Sequence, residues 1–292
     1  MRLGLIGSSG GLSETTRQTF YKLNLLLIGI GPWSNKIKTA IDSSDSQIEV
    51  RITSAREVLS GDCHVIANLR GFDVIWISTK SENQLNILRQ LKTFSGTIFL
   101  EKPYAASSAG LSNLAEFIAE HDLNIKLSQP WTFSQHWLFF KEEMLRSGIN
   151  DFEITRGGPT GHDYLNPVLD WIPHDLNLIF SYFNGAINQI ETKNIKWNIA
   201  NDSVELVLIV NDSYRFHIVT GNIGSERIAT WVSGEKIFDF NKPLIEQGAS
   251  VENSFLNTHS FVDMLQAKIP TSKLQIISQL QFQQVVISSL GL

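Results

Sequence analysis

Two short segments of the chain carry residue types that handle charge. Thr97-Ile98-Phe99-Leu100 is apolar enough for a buried strand and runs directly into Glu101-Lys102-Pro103. Proline cannot continue a strand ladder and keeps the residue before it extended, so the Lys102 ammonium is delivered at the strand's carboxyl end. In an open α/β sheet that edge is where ligands bind. The second segment, Asp170-Trp171-Ile172-Pro173-His174-Asp175, interrupts an apolar stretch. Pro173 suits the first turn of a helix, which puts His174 at a helix N-terminus. The positive end of the dipole disfavours imidazolium there and leaves a ring able to accept a proton. A lysine at a strand's carboxyl end and a histidine elsewhere are the two charge-handling groups that a hydride-transfer enzyme would need.

The elements that must position these groups follow from hydrophobic patterning. Short apolar runs at Arg2–Ile6, Asn24–Ile30, Ile48–Ile52, Asp73–Ser78, Thr97–Leu100 and Asn124–Leu127 alternate with helical patterns at Glu14–Leu23, Asn35–Ile41, Glu82–Thr93 and Ser107–His121. Leu85, Leu88 and Leu91 form an apolar stripe suited to a helix lying on a sheet. Such alternation predicts an α/β fold, a Rossmann-type doubly wound parallel sheet over residues 1–125. From 126 to 292 the rhythm changes. Helices are expected at Ser134–Ser147, stopped by Gly148, and at Pro173–Phe183, stopped by Asn184-Gly185. Strands follow at Val204–Val210, Tyr214–Thr220, Arg227–Val232 and Lys236–Phe240, then helices at Asn253–Ala267 and Ser272–Ser289. The second part is therefore expected to be an α+β domain with an open, mostly antiparallel sheet, its last helices packing back on the first domain.

Two glycine clusters compete for the dinucleotide pyrophosphate. Gly7-Ser8-Ser9-Gly10-Gly11 follows the first expected strand, and Gly29-Ile30-Gly31-Pro32-Trp33-Ser34 the second. The stretch from Gly31 to Asp73 is short for a mononucleotide-binding half, whereas that from Gly7 has room for one. Gly7, Ser8, Ser9, Gly10 and Gly11 are accordingly assigned to the phosphate loop. The later cluster then falls at the end of strand two, where the ribose is read. It offers Trp33 for adenine and Ser34 and Lys36 for a 2′-phosphate, with no acidic residue for a 2′-hydroxyl. The expected cofactor is NAD or NADP, with NADP favoured.

Composition narrows the classes. The 292 residues are 42% apolar and 18% charged, with a net charge of −5 and no basic run, which suits a globular protein and not a nucleic-acid binder. A single cysteine, Cys63, excludes an internal disulfide and fits a reducing cytoplasm. No apolar run reaches membrane-spanning length. His162, Asp163 and His174 match no standard zinc spacing, so no metal is expected. Gln129 and Trp131 follow the last Rossmann strand and are candidate substrate contacts. His162 and Tyr164, in a glycine-rich loop, either line the substrate pocket or form a surface turn.

The segment from Asp73 to Lys80 and the Gly96–Pro103 segment with its E-K-P element resemble the glucose–fructose oxidoreductase / inositol dehydrogenase / MocA family. So does Asp170-Trp-Ile-Pro-His174-Asp175-Leu-Asn177, which is similar to its D-x-x-x-H-x-x-D signature. Lys80 and Gln84 stand where that family usually has proline and histidine, and Asn177 where it usually has aspartate. The resemblance implies a hydride exchange between nicotinamide and a sugar, sugar derivative or nucleotide sugar. In it Lys102 lies beside the nicotinamide and the substrate hydroxyl, His174 is the general acid/base and Asp170 supports it. It further implies cofactor contacts from Ser78, Thr79, Lys80, Gln84 and Glu101, and association of copies through the second sheet. Glu101 itself reads as structural. The same architecture also admits a reductase of an unsaturated or imine-containing molecule, and a non-catalytic ligand-binding descendant.

Overall fold

The computed structural model describes residues 22–44, 47–61, 69–160, 164–242, 258–266 and 271–292. Its first sheet has five parallel strands, β1 (Leu23–Ile28), β2 (Ile48–Thr53), β3 (Val74–Ile77), β4 (Thr97–Leu100) and β5 (Asn124–Leu127), in the spatial order β2-β1-β3-β4-β5. Among the described residues four α-helices lie between them: α1 (Pro32–Asp42), α2 (Ala55–Leu59), α3 (Ser81–Gln90) and α4 (Ser108–Glu120).

The inner strands β1, β3 and β4 are apolar on both sides because both sides are covered. Leu26 and Ile28, Ile75 and Ile77, and Ile98 and Leu100 enter one core with α3 and α4. Leu25, Leu27, Trp76 and Phe99 enter the other, against Ile37 and Ile41 of α1. Each such side chain contributes about 1.5–3 kcal/mol by leaving water. Phe261, Met264 and Leu265 of α7 (Thr258–Gln266) complete the second core, and Ile276, Leu280 and Ile287 of α8 (Lys273–Ser289) the first.

One assignment changes. β1 lies between β2 and β3, so the chain reverses its direction of winding beside Leu23–Ile28, the position that a first strand occupies. The sequence reading placed this segment as strand two. Strand two is Ile48–Thr53. The strand expected at Arg2–Ile6 and the loop at Gly7–Gly11 lie outside the described residues.

After a turn at Pro130–Phe133 and α5 (Gln135–Ser147), closed by Gly148 at φ 63°, comes a six-stranded sheet in the order β11-β10-β6-β9-β8-β7. Its strands are β6 (Asp151–Gly157), β7 (Ile190–Trp197), β8 (Ser203–Val210), β9 (Tyr214–Gly221), β10 (Ile228–Ser233) and β11 (Lys236–Asp239). All pairings are antiparallel except β6 with β9. β6 and β7 are absent from the sequence reading. β7 is an edge strand carrying Glu191, Lys193, Asn194 and Lys196, with a register shift between Lys193 and Lys196.

Between the two cores runs α6 (Pro167–Tyr182), buried along almost its whole length. Leu169 joins the core of the first sheet, whereas Val168, Ile172, Leu176 and Ile179 join that of the second. Pro167, not Pro173, occupies its first turn, and Asn166 caps it by accepting the Val168 N–H at 2.9 Å. Pro173 and His174 are therefore interior. The dipole argument made for His174 does not apply.

Candidate active site

A helix buried on all sides must satisfy each polar group it carries, because an unpaired buried dipole or charge costs several kcal/mol. α6 carries four: Asp170, His174, Asp175 and Asn177, all under 9% exposed. Asp170 accepts from Lys102 Nζ twice, at 2.8 Å through Oδ1 and at 2.9 Å through its main-chain carbonyl. Asp175 Oδ1 accepts from Arg156 Nε at 2.8 Å and Trp231 Nε1 at 3.0 Å. Asn177 donates to the Tyr104 hydroxyl and accepts from Gln279 and Gln283 of α8. His174 makes no side-chain hydrogen bond among the described residues, and its ring opens on a small cavity.

That cavity is lined by Trp33, Glu101, Lys102, Gln129, Trp131 and His174 among others. It lies where the ends of β4 and β5 meet α6. Glu101 N donates to the Ile77 carbonyl, continuing the ladder one residue beyond β4, and Lys102 turns away toward α6. The Lys102–Pro103 peptide is cis. Glu101 is buried and accepts from Trp76 Nε1 at 3.0 Å and from the Ser128 hydroxyl. Burial pushes its carboxyl up from the usual carboxylate range, as expected for a structural acid.

Burial also holds the His174 imidazole well below its ordinary value, with Lys102, Arg156 and Arg227 adding to the effect. The ring is neutral near pH 7, as the sequence reading expected, but through desolvation and neighbouring cations instead of a helix end. Trp131 meets it edge-on, with ring centroids 5.4 Å apart.

The remaining sequence candidates divide. Gln129 and Trp131 both line the cavity. Tyr164 is 45% exposed and stands under Lys80 Nζ, 4.4 Å from the ring centroid; His162 lies outside the described residues. Ser78 bonds Ser34 through their hydroxyls at 3.1 Å, and Thr79 and Lys80 follow it into α3. Gln84 is fully buried, and its amide donates to the carbonyls of Glu101 and Pro103. It therefore holds the lysine's turn in place and is not displayed to a cofactor.

The turn at the switch between β1 and β3 is Gly29–Ser34. Gly29 has φ 142°, and a Cβ there would lie 1.9 Å from the Ser78 carbonyl oxygen, so only glycine fits. Gly31 is the N-cap of α1 with no side-chain cap, and the space over it is open. Amide donors at an uncapped helix end, beneath open space, suit a pyrophosphate. Trp33 turns from there to the cavity and packs on Phe261, which corrects its placement against adenine. Lys36 sits on the same helix and not at the end of strand two.

The end of strand two is built differently. Glu57 Oε2 accepts from the Thr53 hydroxyl at 2.6 Å, the Ser54 N–H at 2.9 Å and the Ser54 hydroxyl at 3.0 Å, forming a capping box with Ser54. These bonds hold the Glu57 carboxyl below its usual range. Arg156 and Arg227, which bear on the His174 ring, and Glu57, at the end of strand two, were not singled out in the sequence. For Arg156 a signal existed: Phe152, Ile154 and Arg156 alternate onto one face.

No family model and no curated protein matches this sequence. Solved structures do. Apo scyllo-inositol dehydrogenase from Lactobacillus casei superposes with a TM-score of 0.68 at 12% identity, covering 93% of this chain and 96% of its own. This is the inositol dehydrogenase fold. UDP-N-acetylglucosamine 3-dehydrogenase GnnA from Acidithiobacillus ferrooxidans gives 0.64 at 13%, covering 91% and 96%. GenD2 from gentamicin A biosynthesis, in complex with NAD, gives 0.66 at 13%, covering 99% and 97%. The resemblance read from the E-K-P and D-x-x-x-H segments holds at the level of the fold.

Proposed function

We propose that the protein is a nicotinamide-dinucleotide-dependent oxidoreductase acting on a CH–OH group of a sugar-like substrate. The observation that carries this reading is His174. Of Asp170, His174, Asp175 and Asn177 on α6, it alone makes no side-chain hydrogen bond among the described residues, and it lines a cavity that Lys102 also lines. A binding module gains nothing from a neutral histidine and a held lysine turned to the same space. Scyllo-inositol dehydrogenase, with bound NAD(H) and scyllo-inositol, shares the fold.

His174, neutral, accepts the proton of the substrate hydroxyl during oxidation and returns it during reduction. Lys102 stabilises the negative charge that develops on that oxygen, and Asp170 fixes where the ammonium stands. Trp33 and Trp131 exclude water from the reacting carbon. Nicotinamide, when bound, supplies the hydride acceptor or donor. Gly29–Ser34 would hold the pyrophosphate, and Glu57 the ribose hydroxyls. Glu57 would repel a 2′-phosphate, so the preferred cofactor is NAD(H); Arg56, beside it, is exposed. This replaces the NADP preference drawn from Lys36.

Copies of the chain would associate through the outer face of the second sheet, where Thr155, Val207, Ile209, Val219 and Val232 alternate outward. Calorimetric titration with NAD+, NADH, NADP+ and NADPH tests the cofactor reading. The expected result is tighter binding of the NAD pair and a loss of that preference in Glu57→Gln. Absence of binding to all four would contradict the reading.

A further inference from the structure

We infer that Arg227, seated on Trp171 beside His174, reads an anionic group, a carboxylate or a phosphate, on the substrate. This rests on the oxidoreductase reading above and narrows its substrate class.

The charges around the cavity do not balance. Lys102 is neutralised by Asp170 and Arg156 by Asp175, each pair at 2.8 Å. Arg227 forms no ion pair among the described residues. Burial and then Arg156 hold its guanidinium down, and Asp170, already held by Lys102, opposes them. A guanidinium without a paired carboxylate close to the proton-transfer group favours an anion there.

Arg227 is also built into place. Gly158 has φ 133°, and a Cβ there would come within 3.0 Å of Arg227 Cα and 2.8 Å of the Glu226 carbonyl oxygen. Its missing side chain lets the start of β10 close onto the end of β6. The Gly158 carbonyl accepts from Trp171 Nε1 at 3.2 Å, and the Arg227 guanidinium lies 4.8 Å from the Trp171 ring centroid. A guanidinium lying on an aromatic ring keeps its in-plane N–H groups free for a bidentate oxyanion. Trp171 is one turn from His174, with ring centroids 6.3 Å apart, so this fork stands beside the proton-transfer group. Lys36 stands likewise over Trp33, 5.2 Å from its ring centroid, and Trp33 lines the cavity.

The test is direct binding by calorimetry of D-glucuronate, glucose 6-phosphate and neutral D-glucose, each with and without saturating NADH, to wild type, Arg227→Met, Arg227→Lys and Lys36→Met. The expected result is that the charged sugars bind roughly ten- to hundredfold more tightly than glucose. Arg227→Met should lose that preference, Arg227→Lys should keep part of it, and NADH affinity should be unchanged in both. Equal or absent binding of charged and neutral sugars overturns the proposal. So does a loss of NADH affinity in Arg227→Met with the sugar preference intact, which would give the anion to the cofactor. Failure of wild type to bind NADH would instead sink the dinucleotide reading, while the charge preference is still decided in the arms without NADH.

Discussion

Lys102 holds Asp170 by two oxygens at once, the carboxylate Oδ1 at 2.8 Å and the main-chain carbonyl at 2.9 Å. The second contact lies beside Pro173. Inside α6 the proline has no N–H to offer the carbonyl of Leu169, and the next carbonyl along the helix is the one Lys102 takes. A strand-end lysine and a helix interior are thereby locked together, with His174 one turn further along the same face. Lys102→Met and Asp170→Asn should each lower kcat, by about 10²- to 10⁴-fold for the lysine. The double variant should be little worse than Lys102→Met alone, since the two act as a unit. Steady-state kinetics of the four proteins checks this; additive losses would contradict it.

His174 makes stability depend on pH in a definite direction. In the unfolded chain its imidazole titrates near 6.5, and in the folded protein well below that. Between those values the unfolded chain binds more protons, so stability is present above 6.5 and is lost as the pH falls. His174→Gln removes this loss. Urea denaturation from neutral pH downward should show wild type losing more stability than the variant over that window. Parallel curves would mean that the ring is not held neutral.

The Arg156–Asp175 pair is wholly buried, at 1% and 0% side-chain exposure. Removing one partner leaves the other's charge unpaired, so Arg156→Met or Asp175→Asn should each destabilise by about 3–5 kcal/mol. The double variant Arg156→Met/Asp175→Leu should recover a large part of that. Chemical denaturation measures all three, and an unrelieved double variant would contradict the account.

Much of this was legible in the sequence, for reasons that can be named. Thr97–Leu100 is read to the residue because it is an apolar strand covered on both faces, and Asn124–Leu127 because Ile125 and Leu127 alternate with polar residues. Lys102, Asp170 and His174 are found because chemistry-bearing groups interrupt apolar runs. What failed is what only pairing reveals. Arg2–Ile6 and Leu23–Ile28 are both apolar runs leading into glycine, and only the hydrogen-bonding of β1 to β2 and β3 shows which is central. Pro167 and Pro173 are both plausible helix starters; the Asn166 cap decides between them. β6 was passed over because Asp151, Glu153 and Arg156 make it look polar, although the arginine is paired with Asp175 inside.

The two glycines of the first turn separate folding from binding. Gly29→Ala puts a Cβ against the Ser78 carbonyl and should impair folding as well as cofactor binding. Gly31→Ala meets nothing within 4 Å and should fold normally while losing dinucleotide affinity, because a methyl group would stand where the pyrophosphate approaches. Circular dichroism with calorimetry distinguishes the two outcomes. Unchanged affinity in Gly31→Ala would return the phosphate loop to Gly7–Gly11.

The most direct measurement is turnover. Wild type, Lys102→Met and His174→Gln would be mixed with NAD+ and a panel of inositols, sugars, sugar acids and nucleotide sugars, and the appearance of reduced nicotinamide followed. The account predicts that wild type reduces NAD+ with at least one of these. Both variants should still bind NAD+ yet turn over at least about 100-fold more slowly. Turnover undiminished in His174→Gln, or no turnover by wild type with any member of the panel, would contradict it.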